Sequence, residues 1–595
     1  TKTAFERSGT YHTLVVSGLH VGVAAAALLW LARLAGAPRW AGAAAAAGLA
    51  GGYAWLLGGA TPVSRAAWML AAYLAALSVF RLRQPLNVVA GVAAGFLLWN
   101  PALLAEAGFQ LSFLSVAAIA GLALPLLERT TEPRRRVLGD LWNVDLDLHL
   151  PPESAARRVA LRTWLEPLAG ALRLPRGPVS AIVCGGLRLC WGAAAIALVS
   201  AVLAVALAAP LAWHFQRVAG AGPAANIVAL PLVSVTVPTG LAALATGSPG
   251  LFAVADALAQ ALETNARRAG SFEGIDWRVP PPPWWLAALA GASLVGWGAG
   301  LRLGGRAAWG GSLAALGVFA VVVAHPFPAR IEPGRLELAA IDVGQGDSFL
   351  IGLPDGSALL VDAGGAPGPA ASANPFDVGE AVVSPYLWSR SIRRLRALAV
   401  THADLDHMGG AAAVLRNFRV EELWIGRGRI DDEYSPLLAL AAERGTAVRR
   451  LGASDRFGLG GAAVEAVAPE PDAFGPPNER SLALLLRWGA HEFLLTGDLE
   501  TGGEAALARR LERMGGIDGE VLAGLHHGSR TSSTSALLQT FRPDFAVLSA
   551  GRYNGHGHPH PDALDRLAET GTLPLRTDLR GALRILSDGR RLEIR

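Results

Sequence analysis

The run His402-x-Asp404-x-Asp406-His407 places four potential metal-ligand side chains within six residues. It follows an apolar stretch, 395–400, that reads as a strand, and precedes an alanine-rich segment that reads as a helix. Two further strands end the same way. Residues 492–496 lead into Gly497-Asp498, and 519–525 lead into His526-His527-Gly528-Ser529. Solvated carboxylates and surface histidines would explain one such strand end. Three in succession point to a metal cluster gathered at one rim of a β-sandwich. The chemistry open to such a cluster is metal-assisted hydrolysis, in which divalent ions acidify water and stabilise charge on the groups exchanged.

The elements that must position these residues begin near Arg330. Alternating apolar patterns at 336–343, 348–352 and 357–361 predict a hairpin and meander, with Pro354-Asp355-Gly356 as a turn and Asp362-Ala-Gly-Gly closing the last strand. This half reads as a soluble α/β domain. The preceding half is different: up to about Pro328 it is a succession of Ala, Leu, Val, Gly and Trp runs, each long enough to cross a bilayer as helix. The 595 residues are 52% hydrophobic, with a mean hydropathy of +0.36, which excludes an ordinary soluble enzyme. The fold class expected is a polytopic α-helical membrane bundle over 1–328 followed by a soluble α/β domain over 329–595.

Candidate spans fall near 12–34, 41–58, 65–80, 86–104, 108–127, 180–208, 223–246, 284–303 and 307–324, about nine crossings. The stretch 251–268 mixes apolar residues with Asp256, Gln260, Glu263 and two arginines, and reads as an amphipathic helix at the interface. Polar residues recur inside the spans: Ser17 and His20, Gln110 and Ser112, His214, and Asn226. Each alone is compatible with interhelical hydrogen bonding, but together they favour a polar route through the bundle. Glycines and prolines from Gly220 to Pro238 suit a broken helix lining a cavity.

The net charge of +4 rests almost wholly on arginine, since Lys2 is the only lysine. That excludes a Walker-type phosphate-binding loop, which needs a lysine after its glycines. Loops carrying Arg33 and Arg39, Arg81 and Arg83, and the block 129–176 alternate with loops carrying only Arg65 or none, which counts the soluble half as cytoplasmic. Cys184 and Cys190 lie six residues apart on one predicted membrane helix and predict neither a disulfide nor a zinc ribbon. The polar opening segment, Thr1 to His12, reads as the middle of a longer protein.

Asp362-Ala-Gly-Gly, His402-x-Asp404-x-Asp406-His407, Gly497-Asp498 and His526-His527-Gly-Ser resemble the ordered motifs of the metallo-β-lactamase fold, an αββα sandwich. The aspartate at 404, with Asp342-Val-Gly-Gln-Gly-Asp347 and Ser17-Gly-Leu-His20, resembles the ComEC family of bacterial competence DNA-uptake channels. The likeness runs through nearly the whole chain. It implies that His402 and Asp404 hold one metal, Asp406 and His407 a second, with Asp498 bridging and His526, or His527 as its neighbour or alternate, completing the cluster. Asp362 would act from behind, orienting the motif loop. The family's third-motif histidine has no counterpart: Asn478 stands near that place, a weak ligand at best. Carboxylate in place of nitrogen hardens the site and favours Mn²⁺ as well as Zn²⁺.

The reaction implied is phosphodiester hydrolysis with two divalent metal ions, Asp406, His407 and Asp498 at its centre. His558 or His560 is a candidate to protonate the leaving group, or else belongs to a flexible histidine-containing loop. Ser529 and Arg530 before a helix from about Thr534 offer a phosphate contact, though helix capping explains the serines equally well. The bundle would pass single-stranded DNA across the bacterial inner membrane while the metal domain, meeting double-stranded DNA on the external face, hydrolyses the other strand; that placement runs against the arginine count, and the two leave the side of the metal domain open. DNA-receptor and ATP-driven translocation proteins would be partners, along with membrane lipid and possible further copies of the chain. Two other readings compete: a channel with a catalytically silent metal domain, and a membrane-anchored metallohydrolase acting on a small phosphodiester. Arg65 and Arg217, read as lying in short loops, are candidates to face a DNA path or to be interfacial anchors.

Overall fold

In a computed structural model of the chain, the described residues are 2–14, 18–58, 61–78, 85–365, 376–427, 432–469, 475–515, 517 and 519–595. Ser17, Arg81 and Arg83 lie outside them. The chain divides into two compact units, Thr1–Pro326 and Phe327–Arg595.

The first unit is helical. Among the described residues, five of its helices are long and apolar enough to cross a membrane: Ala107–Arg129, Arg176–Phe215, Gly222–Thr246, Trp284–Leu303 and Gly305–Ala324. Gly18–Leu34, Arg39–Leu56, Thr61–Ser78 and Pro85–Trp99 fall on the other expected spans. Ala107–Arg129 contains a widened turn at Ile119–Ala123, just before Pro125, whose missing N–H and bulky ring disturb the preceding turn.

Three expectations need correction. The span expected at 180–208 is part of a 40-residue helix, Arg176–Phe215. Its first turns pack Val179 and Cys184 against Leu138, Leu141, Leu165 and Ala169 of the preceding polar segment. The broken helix expected near Gly220 to Pro238 is continuous through Pro231 and Pro238. Between the two prolines Ser234 donates its hydroxyl to the Leu230 carbonyl and Thr236 to that of Leu232, both at 2.8 Å. Arg65 and Arg217 are not loop residues. Arg65 is buried on the helix Thr61–Ser78, and Arg217 opens a short strand where it pairs with Glu6 at 3.0 Å and Asp276 at 3.1 Å. The amphipathic stretch forms the helix Pro249–Gly270, which packs Leu262 and Ala266 with Phe5, Ala229 and Val233.

The second unit is an αββα sandwich. Its first sheet has eight strands in the order Leu592–Ile594, Leu583–Ser587, Leu336–Ala340, Phe349–Gly352, Ala358–Val361, Arg394–Val400, Arg419–Gly426 and Ala447–Leu451. The second has seven, in the order Leu573–Arg576, Phe545–Leu548, Val521–Gly524, His491–Leu495, Ala483–Trp488, Ala462–Ala468 and Arg456–Leu459. Pairing is parallel from Ala358–Val361 to Ala447–Leu451, and from His491–Leu495 to Leu573–Arg576.

These parallel strands are apolar on both faces because both faces are covered. One face of each sheet meets the other sheet through Phe349, Ile351, Trp424, Leu484, Leu486, Phe493 and Val547. The outer face of the first sheet packs Val383, Leu387, Trp388 and Val414, and that of the second packs Leu507, Leu511, Leu537 and Phe541. Trp424 is fully buried between the sheets, edge-on to Phe457 at 5.2 Å, with its indole N–H donating to Glu422 at 2.6 Å. Trp424→Ala should destabilise this domain by about 3–5 kcal/mol, read as a lowered unfolding temperature of the purified chain. An unchanged value would mean the inter-sheet core is not where the stability lies.

Candidate metal centre

Parallel strands deliver their following loops to one rim, and the chemistry-bearing residues sit there. Val361 is followed by Asp362, Val400 by Thr401 and His402, Leu495 by Thr496, Gly497 and Asp498, and Gly524 by Leu525, His526 and His527. Several of these positions lie in the left-handed region: Asp362 at φ 58°, Leu525 at 56°, His526 at 46° and His527 at 56°. Non-glycine residues are rarely held there, and the cost is repaid by turning their side chains into the cluster.

Four groups, Asp347, His407, Asp498 and His527, lie with one ligand atom each within 4.8 Å of one another, and all are buried. Asp498 is the hub. Its carboxylate lies 3.2 Å from His407 Nε2, 3.4 Å from His527 Nε2, 3.5 Å from His526 Nε2 and 3.9 Å from His402 Nε2. Asp406 reaches His527 Nε2 at 3.4 Å, and Asp404, about half exposed, reaches His402 Nε2 at 3.5 Å. Asp347 Oδ1 and Oδ2, His402 Nε2, His407 Nε2, Asp498 Oδ1 and His527 Nε2 are buried without a hydrogen-bond partner. Ligand-type atoms left unsatisfied at one point fit divalent metal ions.

The opposite ring nitrogens are held from behind. His407 Nδ1 lies 2.8 Å from Asp362 Oδ2, and Asp362 accepts from the Thr401 N–H and hydroxyl, each at 2.8 Å. His527 Nδ1 faces the Ser549 carbonyl at 3.0 Å and Asp347 at 3.2 Å. His402 Nδ1 is 3.0 Å from the Thr401 hydroxyl and 3.4 Å from that of Ser481. These contacts fix ring orientation and leave the Nε2 atoms turned inward.

Electrostatics follow. Burial alone would lower the pKa of His407, but Asp498 and Asp362 raise it well above the usual imidazole value. Burial is likewise overridden at His527 by Asp498 and Asp347. Burial opposes ionisation of Asp498, yet His407 and His527 hold its pKa well below the carboxylate range, and Asp406 is drawn down to about 2 despite burial by His527 and His407. His558 goes the other way, lowered to about 4 by burial and by His527, His526 and His556. Its ring stands 6.0 Å from that of His526 and 6.4 Å from that of His527.

Asn478 donates to Glu500 at 3.4 Å, and Glu500 lies 3.5 Å from His526 Nδ1, so Asn478 stands behind the cluster, the same side from which it and Asp362 are expected to act. The expected phosphate seat is filled from within the protein: Glu504, fully buried, accepts from the backbone N–H groups of Ser533 and Thr534 at 2.8 and 2.7 Å. Ser529 pairs with Thr531, and Arg530 is exposed. Sequence reasoning missed Asp347, Glu500 and Glu504. Asp347 had a signal, since Gly344 and Gly346 beside it have positive φ and bend its loop in beside Asp406.

The fold and the rim define a metallo-β-lactamase-type domain, and residues 341–552 match the metallo-beta-lactamase superfamily. Residues 1–303 match the family described as Competence protein, and the chain belongs to it. It is 26% identical over 630 residues to ComE operon protein 3 of Bacillus subtilis (strain 168), covering 98% of this chain and 68% of that protein. Against Competence protein ComA of Neisseria gonorrhoeae it is 28% identical over 596 residues, covering 98% and 71%. Among solved structures, the metallo-beta-lactamase fold protein YhfI from Bacillus subtilis aligns with a TM-score of 0.27 at 10% identity, covering 40% of this chain and 95% of that one.

Asp362→Ala should lower metal affinity about 10- to 100-fold, measured by chelator competition with metal content read by mass spectrometry. Unchanged affinity would mean that Asp362 does not orient His407. Glu504 gives a pH test. Burial raises its pKa to about 7 against its N–H donors, so the folded state holds a proton that the unfolded chain releases near pH 4.5. Its contribution to stability is present below pH 4.5 and lost as pH rises through about 7. Unfolding temperatures from pH 4 to 8 should therefore fall more steeply for the wild type than for Glu504→Gln; parallel profiles would refute this.

Proposed function

We propose that the chain takes up single-stranded DNA through its helical unit at the bacterial inner membrane, while the sandwich domain hydrolyses phosphodiester bonds of the strand not transported. The observation that carries the hydrolytic part is the buried set of unpartnered imidazole nitrogens and carboxylate oxygens around Asp498. Family membership and the apolar helices support the uptake part. His402 and Asp404 would hold one ion, Asp406, His407 and His527 a second, with Asp498 between them; Asp347 lies close enough to ligate or to brace His527. Bound there, Mn²⁺ or Zn²⁺ would supply Lewis-acid stabilisation and acidify water. Asp362 and Thr401 hold the His407 ring in place, and Asp347 with the Ser549 carbonyl holds the His527 ring. His558, a ring away from the cluster, is suited to orient substrate.

Cleavage of the second strand before passage favours the external face for the metal domain, with a receptor and an ATP-driven translocase as partners. A second reading has one specific support. Asn478 turns to Glu500 and supplies no nitrogen to the His402 side, which fits a sandwich that binds metal weakly and serves as a docking module.

The purified chain, assayed on linear and circular single-stranded DNA with Mn²⁺, Zn²⁺ or chelator, decides between them. Metal-dependent cutting is expected, reduced at least about 100-fold in Asp406→Ala and in His407→Ala. A folded, metal-loaded chain that cuts nothing would leave the silent-domain reading.

A further inference from the structure

Several polar contacts join helices of the first unit, and three of them pair side chains that the sequence singles out. His214 Nε2 lies 3.0 Å from Gln110 Oε1, Asn226 donates to Ser200 at 3.1 Å, and Arg65 Nη2 donates to Ser112 at 3.3 Å. The first two pairs are neutral, and interhelical hydrogen bonds of that kind are ordinary between membrane helices. Arg65 is different. It is only 2% exposed; among the described residues its Nε has no hydrogen-bond partner, and its one hydrogen bond goes to a neutral hydroxyl. Glu106, the carboxylate whose charge reaches it, is itself exposed. A guanidinium withdrawn from water needs more than this, because an uncompensated buried charge costs several kcal/mol. Cations kept inside a helical bundle at such cost mark a place where an anion belongs.

The seat is shaped for the side chain. A Cβ on Gly108 would come 3.0 Å from Arg65 Nη2, so the glycine gives the guanidinium its room. Ser112, one turn along the same helix, accepts from Nη2 and fixes the plane of the group. The Nε–H is left without a partner among the described residues, and a guanidinium N–H pair can match two oxygens of a phosphate.

We propose that Arg65, seated against Gly108 and Ser112, is an anion site inside the helical unit that binds a phosphodiester oxyanion. That the phosphodiester belongs to a nucleic-acid strand rather than to a phospholipid rests on the uptake reading above. The site lies apart in sequence from the metal cluster and would act by holding the backbone of a strand, without regard to its bases.

The test uses the full chain in phosphatidylcholine and phosphatidylglycerol nanodiscs, in chelator so that no strand is cut. A short oligodeoxythymidylate carrying 4-thiothymidine is photo-crosslinked, the attachment points are mapped by mass spectrometry, and retained phospholipid is read by native mass spectrometry. Crosslinks to the helices Thr61–Ser78 or Ala107–Arg129 should fall at least about tenfold in Arg65→Gln and in Gly108→Ala, with partial recovery in Arg65→Lys. If wild type gives no such crosslinks but retains a phospholipid that both variants lose, the site stands with lipid as the source. If neither readout changes in variants that keep the wild-type unfolding profile, the proposal is overturned. Should Arg65→Gln fail to fold, Gly108→Ala decides, since it keeps the charge and moves the guanidinium. DNA hydrolysis with metal is measured on the same preparations. Its absence from wild type would sink the nuclease reading and leave the Arg65 result untouched.

Discussion

A buried carboxylate ringed by imidazoles is the constraint on which the sandwich domain is built. Asp498 is almost fully buried, and four histidine nitrogens stand within 3.9 Å of its oxygens. Such a group cannot remain charged at depth unless something positive is held against it. Without metal the imidazoles do this by taking up protons, which is why His407 and His527 rise while Asp498 and Asp406 fall. Divalent ions would replace those protons. Metal binding at such a cluster would therefore release protons.

Holding so much polarity in one place requires rigid support from several directions. The side chains follow strands of both sheets, Ala358–Val361 and Arg394–Val400 in the first and His491–Leu495 and Val521–Gly524 in the second, so the two sheets together set the rim. The left-handed conformations of Asp362, Leu525, His526 and His527 are held against their intrinsic preference by these strands, with Thr401 bonded to Asp362 and Thr496 to the Leu525 N–H. Glu504 extends the same logic one layer out. Its carboxylate ties the helix Thr501–Arg513 to the backbone at Ser533 and Thr534, just beyond the strained His526-His527 turn.

The strand pattern and the rim cluster were legible because both depend on local order: apolar runs bounded by glycine, each followed at once by His or Asp. Strand ends at Val400, Leu495 and Gly524 fall within a residue or so of where the pattern puts them. Asp347 and Glu500 were harder to read because their part in the site is set by contacts across the sheets, which no spacing encodes. The phosphate seat was misread for a related reason. Serines and an arginine before a helix are visible in sequence, but the carboxylate that fills the position comes from Glu504, on another element.

The helical unit was legible in outline and less so in extent, because an almost uniformly apolar helix carries little periodic signal and its ends depend on packing. What departs from the plain apolar pattern is a single residue. Arg65, on the helix Thr61–Ser78, is buried against Gly108 and Ser112 of Ala107–Arg129. Taking a guanidinium out of water is costly, and a helix that served only to anchor the chain would gain nothing from it. The anion proposed for that seat would give the burial a reason.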